Sequence, residues 1–161
     1  MILSGDRIRR EVKRGRIVIE PFNEDQINPN SYNYRLGEHL LRADGNERWV
    51  IGPEGFVLMP GEVYLGHTVE RIGSAYHTPS LIGRSSVGRL GLFVQVDADL
   101  GQVGAVHSWT LELKPTLPIR VFAHMRIGQV SFWATQSRGR PYAGVYARYD
   151  LPQYNLRELR T

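Results

Sequence analysis

Short runs of β-type residues make up most of the sequence, and this pattern constrains the fold more than any other feature. The 161 residues include 17 glycines and 9 prolines, which are spread along the chain. Segments such as 31–37 and 109–115 alternate apolar with polar residues and end at a glycine or proline. Frequent turn residues leave little room for long helices. The pattern predicts one all-β domain over residues 1–161, folded as a sandwich, jelly roll or barrel.

The N-terminal segment differs from the rest of the chain. Ser4 precedes the run GDRIRREVKRG and has the side chain of a helix N-cap, and Gly15 is a typical stop signal. Ile8 and Val12 are spaced i, i+4 and therefore share a face. We predict one short helix here, and we interpret the basic run 7–16 as its solvated face.

Composition and charge exclude several classes of function. The chain has no cysteine, which excludes disulfides, thiolate nucleophiles and cysteine-ligated zinc sites. The histidines also lack the spacing of a metal site; they are His39, His67, His77, His107 and His124. A net charge of +4 permits phosphate ligands, but the basic run carries no aromatic residue for base stacking, so we expect no nucleic-acid partner. No secretory signal or apolar span is visible, which favours a cytoplasmic protein without a membrane partner.

Residues 83–92, GRSSVGRLGL, hold a cluster of hydrogen-bond donors. Arg84 and Arg89 offer guanidinium groups, and Ser85 and Ser86 offer hydroxyls. Such a set suits an oxyanion such as phosphate. Serine and glycine are also ordinary turn residues. The residues alone therefore leave a phosphate site and a structural turn equally open.

A second candidate lies in WTLELKP, residues 109–115. Glu112 stands between Leu111 and Leu113, and by alternation it shares a face with Thr110 and Lys114. The carboxylate either faces solvent beside the lysine or is a desolvated base with a raised pKa. Composition favours the solvent-facing interpretation. A hydrolase without a thiol or a metal needs a carboxylate or a histidine to activate water, which keeps Glu112 as a candidate.

Four separated blocks resemble the dCTP deaminase branch of the trimeric dUTPase-like superfamily. They are MILSGDRI at the start, INPNSYNYRLG (27–37), GRSSVGRLGLF (83–93) and WTLELKPTLPIRVFAHMRIGQVSF (109–132). The resemblance implies a distorted all-β barrel or jelly roll with a short N-terminal helix. It also implies a homotrimer with active sites between subunits. The implied reaction is metal-free hydrolytic deamination of a cytosine nucleotide, with Mg²⁺ present only if it accompanies a bound polyphosphate.

The resemblance also implies catalytic roles. Glu112 would be the proton shuttle, taking a proton from water and delivering protons to N3 and to the leaving amine. Ser85 and the backbone carbonyl of Ala98 would position that water. Arg89 would hold Glu112 and the serine in place and bias their charge state.

Further residues would bind the substrate. The matched positions are Arg84, Ser86, Gln102, Thr110, Leu111 and Tyr142. Arg84 and Ser86 would contact phosphate oxygens, across a subunit boundary. Gln102 stands where the family has the aspartate that receives the 3′-hydroxyl of the deoxyribose.

The chain departs from the family pattern at the sugar and at the tail. Gln102 donates as well as accepts hydrogen bonds and carries no charge, unlike aspartate. Val145 replaces a phosphate-contacting lysine, and Tyr149 replaces a glutamine. Gln95, Asp97, Asp99 and Ala105 also differ from the family pattern. These changes predict deamination of a different nucleotide: a cytidine monophosphate, a ribonucleotide or a base-modified cytosine nucleotide. A dUTPase-like pyrophosphatase and a non-catalytic nucleotide-binding regulator are the alternatives.

Overall fold

Antiparallel β-sheet accounts for most of the regular structure. The computed structural model describes residues 1–94, 99–136, 140–144 and 150–152. The strands are β1 (Val18–Glu20), β2 (Ile27–Asn28), β3 (Ser31–Arg35), β4 (His39–Arg42), β5 (Arg48–Val50), β6 (Phe56–Leu58), β7 (Tyr64–Gly73), β8 (His77–Gly83), β9 (Leu92–Val94), β10 (Val106–Pro115), β11 (Ile119–Val121) and β12 (Arg126–Ala134). Helix α1 (Gly5–Lys13), the single turn α2 (Ser85–Gly88) and a 3₁₀ turn (Glu24–Gln26) complete the described elements. The all-β prediction with a short N-terminal helix is confirmed.

The strands of the described residues form three sheets. The largest has six strands in the order β5-β4-β7-β10-β9, with β1 also paired to β7. A four-stranded sheet has the order β2-β3-β12-β8, and β11 pairs with β6. The two ten-residue strands β7 and β10 lie side by side within the large sheet. These two strands are the framework of the candidate site.

Alternation along the strands builds the core. Tyr32, Tyr34 and Leu36 are fully buried, in agreement with the shared face expected for the run 31–37. The Tyr34 hydroxyl donates to the carbonyl of Ile82 at 3.0 Å, and burial raises the pKa of Tyr34. Each large apolar side chain buried in this way stabilises the fold by about 1.5–3 kcal/mol.

Helix α1 begins and ends where the sequence indicates. The Ser4 hydroxyl accepts a hydrogen bond from the Arg7 amide at 3.3 Å, and Gly15 follows the helix with φ of 68°. Ile8 is fully buried. The polar side is not simply solvated, because Glu11 is also fully buried and lies within 4 Å of several basic side chains. The basic side chains themselves are exposed or half-buried, in agreement with a solvated face, and Glu11 is the exception.

A bulge interrupts the pairing of β7 with β10. Ser108 pairs with Arg71, and Thr110 pairs with His67. Residues 68–70 of β7 therefore lie opposite the single residue Trp109. Bulges bend a strand and redirect its side chains. This one immediately precedes Thr110 and Glu112 and helps to set the faces to which they point.

Candidate active site

Strand β10 has two faces of different character. Leu111 and Leu113 are fully buried in the core. Thr110 and Glu112 alternate onto the opposite face, where both are half-buried. The predicted shared face of Thr110 and Glu112 is therefore confirmed. Leu111, a predicted substrate contact, has its side chain in the core, so only its backbone is placed to meet a ligand.

The neighbouring strands form an apolar floor beside Glu112. Leu65 of β7 is its cross-strand partner, and Leu41 of β4 pairs with Leu65 in turn. Leu65 and Leu41 are only 8% and 5% exposed. Cβ atoms directly opposite on antiparallel strands lie about 5 Å apart, so the side chain of Glu112 leaves the strand next to this floor.

Two stacked imidazoles lie on the same side of the sheet, next to Thr110. His67 is the cross-strand partner of Thr110, and its ring stacks on that of His39 with centroids 5.8 Å apart. Nδ1 of His67 lies 3.0 Å from the carbonyl oxygen of Thr68. Burial, above all other causes, lowers the pKa of His67. The ring therefore favours its neutral form.

The predicted donor cluster forms the turn α2 between β8 and β9. Ser85, Ser86 and Arg89 are exposed, and Arg84 is half-buried. Val87, only 4% exposed, anchors the turn in the core. The structure thus brings the four predicted donors together on one helical turn.

Gln102 lies on a loop that is tied to strand β8. Asp99 accepts a hydrogen bond from the amide of Leu81 at 2.7 Å through its backbone and from Ser80 Oγ at 3.1 Å through its carboxylate. Gly101 donates to the carbonyl of Pro79 at 2.8 Å. Gln102 itself is exposed. A fixed loop with an exposed amide side chain is suited to meet a ligand hydroxyl.

Tyr142 lies next to that loop. Its amide donates to the carbonyl of Val103 at 2.9 Å. Gly104 has φ of 91°, and a Cβ there would come within 2.8 Å of Pro141. Glycine at this position therefore allows the C-terminal segment to approach the Gln102 loop closely.

Several predicted positions lie outside the described residues. Ala98, whose carbonyl was expected to position water, is one of them, and its role stays a prediction. The others are Gln95, Asp97, Val145 and Tyr149.

The partners of β10 are not evident from the sequence. Leu65 and His67 were not predicted to lie beside the site, because cross-strand register across a bulge is not readable from one sequence. The alternating run 64–67 was the only available signal. Asp150, which bonds to the Ser108 amide at 3.1 Å, had no signal in the sequence at all.

Two further features of the described residues concern metal ligands and helix length. No group of three or more His, Cys, Asp or Glu residues there is arranged to hold a metal ion. None of the helices in the described ranges is long and apolar enough to cross a membrane.

Comparison with known proteins identifies the family. Residues 2–135 match the model of the dCTP deaminase-like family. The dCTP deaminase, dUMP-forming, of Hathewaya histolytica is 38% identical, with 96% of this chain and 91% of that protein covered. The enzyme of the same name from Clostridium acetobutylicum is 40% identical over 96% of this chain and 90% of its own length. A dCTP deaminase of Rhodopirellula baltica is 41% identical over 83% of this chain and 72% of its length.

A solved structure supports the fold. The 2′-deoxycytidine 5′-triphosphate deaminase of Agrobacterium tumefaciens superposes with a TM-score of 0.71 at 24% identity, covering 83% of this chain and 48% of that chain. At that identity the likeness concerns the fold. Together with the family match, which spans Ser85, Arg89 and Glu112, these relatives show that the chain is a member of the dCTP deaminase-like family.

Proposed function

We propose that the protein is a deaminase that converts dCTP to dUMP. The observation that carries this proposal is the family match over residues 2–135, which includes Glu112 on the rigid strand β10 and the donor turn α2. Relatives about 40% identical over nearly the whole chain are named for dCTP and for dUMP formation. The overall reaction consumes two waters: one replaces the amino group and releases ammonia, and one cleaves the α–β phosphoanhydride and releases pyrophosphate.

Glu112 carries the proton transfers of the deamination in this proposal. Its carboxylate accepts a proton from water while the oxygen attacks C4, and it delivers a proton to N3 of the cytosine ring. A further proton transfer to the amino group lets ammonia leave, and C4 becomes a carbonyl carbon. Ser85 and the carbonyl of Ala98 orient the water, and Arg89 holds the carboxylate and Ser85. The fully buried Leu111 and Leu113 support this geometry by fixing the strand.

The phosphates and the sugar are assigned to exposed groups. Arg84 and Ser86 bind phosphate oxygens, since a guanidinium and a hydroxyl on one turn are strong donors to an oxyanion. Gln102 and Tyr142 lie on adjacent segments and bind the sugar and the phosphate end. Thr110 and the backbone of Leu111 face the base.

We further propose that the enzyme is a homotrimer in which Arg84 and Ser86 of one subunit serve the Glu112 of another. Ser85, Ser86 and Arg89 are exposed in the single chain, which leaves them accessible to a neighbouring subunit. Any Mg²⁺ enters with the triphosphate, whose oxygens are hard ligands. Nucleoside triphosphates are used in the cytoplasm, so we expect the enzyme there.

The substitutions at Gln102, Val145 and Tyr149 support a separate prediction, in which the substrate is a cytosine nucleotide other than dCTP. The names of the relatives favour dCTP. The amide of Gln102 retains an acceptor oxygen for the 3′-hydroxyl, so the exchange from aspartate is compatible with a deoxyribose.

Incubation of the purified protein with dCTP, dCMP, CTP, CMP and 5-substituted forms tests the proposal. Ammonia and product masses are followed together. We expect dCTP to be turned over fastest, with ammonia and pyrophosphate released in equal amounts and dUMP as the product. Fastest turnover of another member would instead support the substrate change, and nucleotide binding without ammonia release from any member would contradict a deaminase.

A further inference from the structure

A carboxylate from the C-terminal segment lies at the bulge that precedes the candidate catalytic residues. The amide of Ser108 donates to Asp150 Oδ1 at 3.1 Å. The same oxygen lies 3.4 Å from Nε of Arg71, the residue of β7 that pairs with Ser108. Arg71 also donates to the carbonyl of Val106 at 3.4 Å. Asp150 therefore contacts both strands of the central pair at one point.

A bulge disrupts the ladder and leaves backbone groups without their usual partners in the neighbouring strand, and side chains can take that place. The next amide, that of Trp109, donates to the hydroxyl of Thr68 at 2.9 Å. Two successive amides of β10 thus donate to side chains. The amide of Trp109 donates to a residue of the same sheet, and the amide of Ser108 donates to a residue of the C-terminal segment. Thr110 and Glu112 follow two and four residues after Ser108, so the direction of β10 at this point decides where they lie.

The segment continues onto the same sheet beyond Asp150. Leu151 and Pro152 line a cavity of about 160 Å³ together with residues of β4 and β5, among them Leu41. Leu41 pairs with Leu65, the cross-strand partner of Glu112. The segment thus also borders, across this cavity, the far side of the apolar floor.

We propose that Asp150 is a positioning residue for the deamination. It accepts from the Ser108 amide and pairs with Arg71, and so it holds β10 against the bulged part of β7 in the position that directs Glu112 toward the base. This inference rests on the proposed function and concerns the same site. Asp150 and Arg71 have side chains that are 58% and 49% exposed. Ion pairs that exposed contribute little to global stability, so the effect of Asp150 is local.

A matched pair of variants tests the proposal. Asp44 makes the same kind of contacts elsewhere: it accepts from the Asn46 amide at 3.0 Å and from Nε of Arg42 at 2.9 Å, in the β4–β5 turn. D150A and D44A each remove one exposed ion pair and one bond to an amide. D150N keeps an acceptor oxygen for Ser108 but loses the charge toward Arg71.

We expect D150A to lower kcat for dCTP about tenfold, because small displacements of a reacting group are costly, while KM changes less than about twofold. D150N should recover part of the loss, and D44A should match the wild type. The melting temperatures of D150A and D44A should agree within a few degrees, and amide exchange at Ser108 should be faster only in D150A. Wild-type kcat in D150A, or an equal loss of kcat in D44A, overturns the positioning role. A wild type that releases no ammonia from dCTP refutes the proposed function instead.

Discussion

At the scale of single residues, alternation along β10 separates structural from candidate catalytic side chains. Leu111 and Leu113 are fully buried, and Glu112 between them stands on the other face beside Leu65. The two leucines fix the backbone on both sides of the carboxylate. The Cα–Cβ bond of Glu112 therefore changes its direction only if the strand moves.

His67 makes the stability of the fold depend on pH, also at the scale of single residues. Its Nδ1–H donates to the Thr68 carbonyl at 3.0 Å, and its Nε2 lies 3.5 Å from the amide nitrogen of His39. Burial lowers the pKa of His67 from its usual 6.5. The folded state therefore binds this proton less readily than the unfolded state. The neutral ring therefore contributes its full stabilisation at pH values above the pKa that His67 has in the unfolded state. This contribution is lost as the pH falls from there toward the lower pKa of the folded state.

Urea unfolding of the wild type and H67Q from pH 8 to pH 5 measures this effect. We expect the wild type to lose stability relative to H67Q as the pH falls below about 6.5. H124N is the control for an exposed histidine whose charge is the smallest of the causes that lower the pKa of His67, and asparagine tolerates its φ of 64°. Parallel curves of stability against pH for wild type and H67Q would contradict a lowered pKa of His67 in the folded state.

At the scale of elements, α1 is joined to the sheets through one buried carboxylate. Oε1 of Glu11 lies 3.1 Å from Arg7 and 3.2 Å from Arg14, and its Oε2 lies 3.8 Å from Arg16 and 3.5 Å from His77 at the start of β8. Burial alone would raise the pKa of Glu11. The nearby His77 and the three arginines outweigh it, so the pKa lies below the usual 4.5.

We expect E11Q to lower the free energy of unfolding by about 1–3 kcal/mol at pH 7, because the surrounding cations lose their counter-charge. The lowered pKa makes this stabilisation full above pH 4.5 and lost as the pH falls through the folded value. Urea unfolding at pH 7 and at pH 3 checks both statements. D6N is the control, since Asp6 is 82% exposed in its pair with Arg9 and should change stability by less than about 1 kcal/mol. A constant difference between wild type and E11Q at both pH values would contradict this account.

Local patterns made some of these elements predictable. The cap at Ser4, the stop at Gly15 and the alternation at Tyr32 and Tyr34 depend on neighbours in sequence, and all of them are confirmed. Burial of Glu11 and the partners of Glu112 depend on contacts between distant segments. A single sequence records no register across a bulge and no contacts of a distant segment. The positions of Leu65, His67 and Asp150 beside the site could therefore not be predicted.

At the scale of the whole molecule, recognition of the family carried the functional assignment. The residues of 83–92 left phosphate binding and a structural turn equally open, and Glu112 alone favoured a solvated side chain. The order of four separated blocks along the chain favoured a phosphate site and a catalytic Glu112, and both roles stay predictions. The family match over residues 2–135 confirms the family. The trimer, with sites shared between subunits, remains a prediction at this scale.

Mixed oligomers test the shared site. R84A and E112Q should each lose activity at low dCTP concentration. Subunits of the two variants, mixed equally and reassembled, should regain activity, with about a quarter of the sites intact if each site takes the two residues from different subunits. Activity no higher than the average of the two separate variants would place both residues in one subunit.

Ammonia release from dCTP by E112Q tests the central claim most directly. Glutamine keeps the size of the side chain but cannot shuttle protons, so we expect the rate to fall by about 10² to 10⁴-fold. K114Q, which alters the exposed neighbour on the same face, should keep most of the activity. Both variants should retain the melting temperature of the wild type within a few degrees. Ammonia release by E112Q at the wild-type rate would contradict the account.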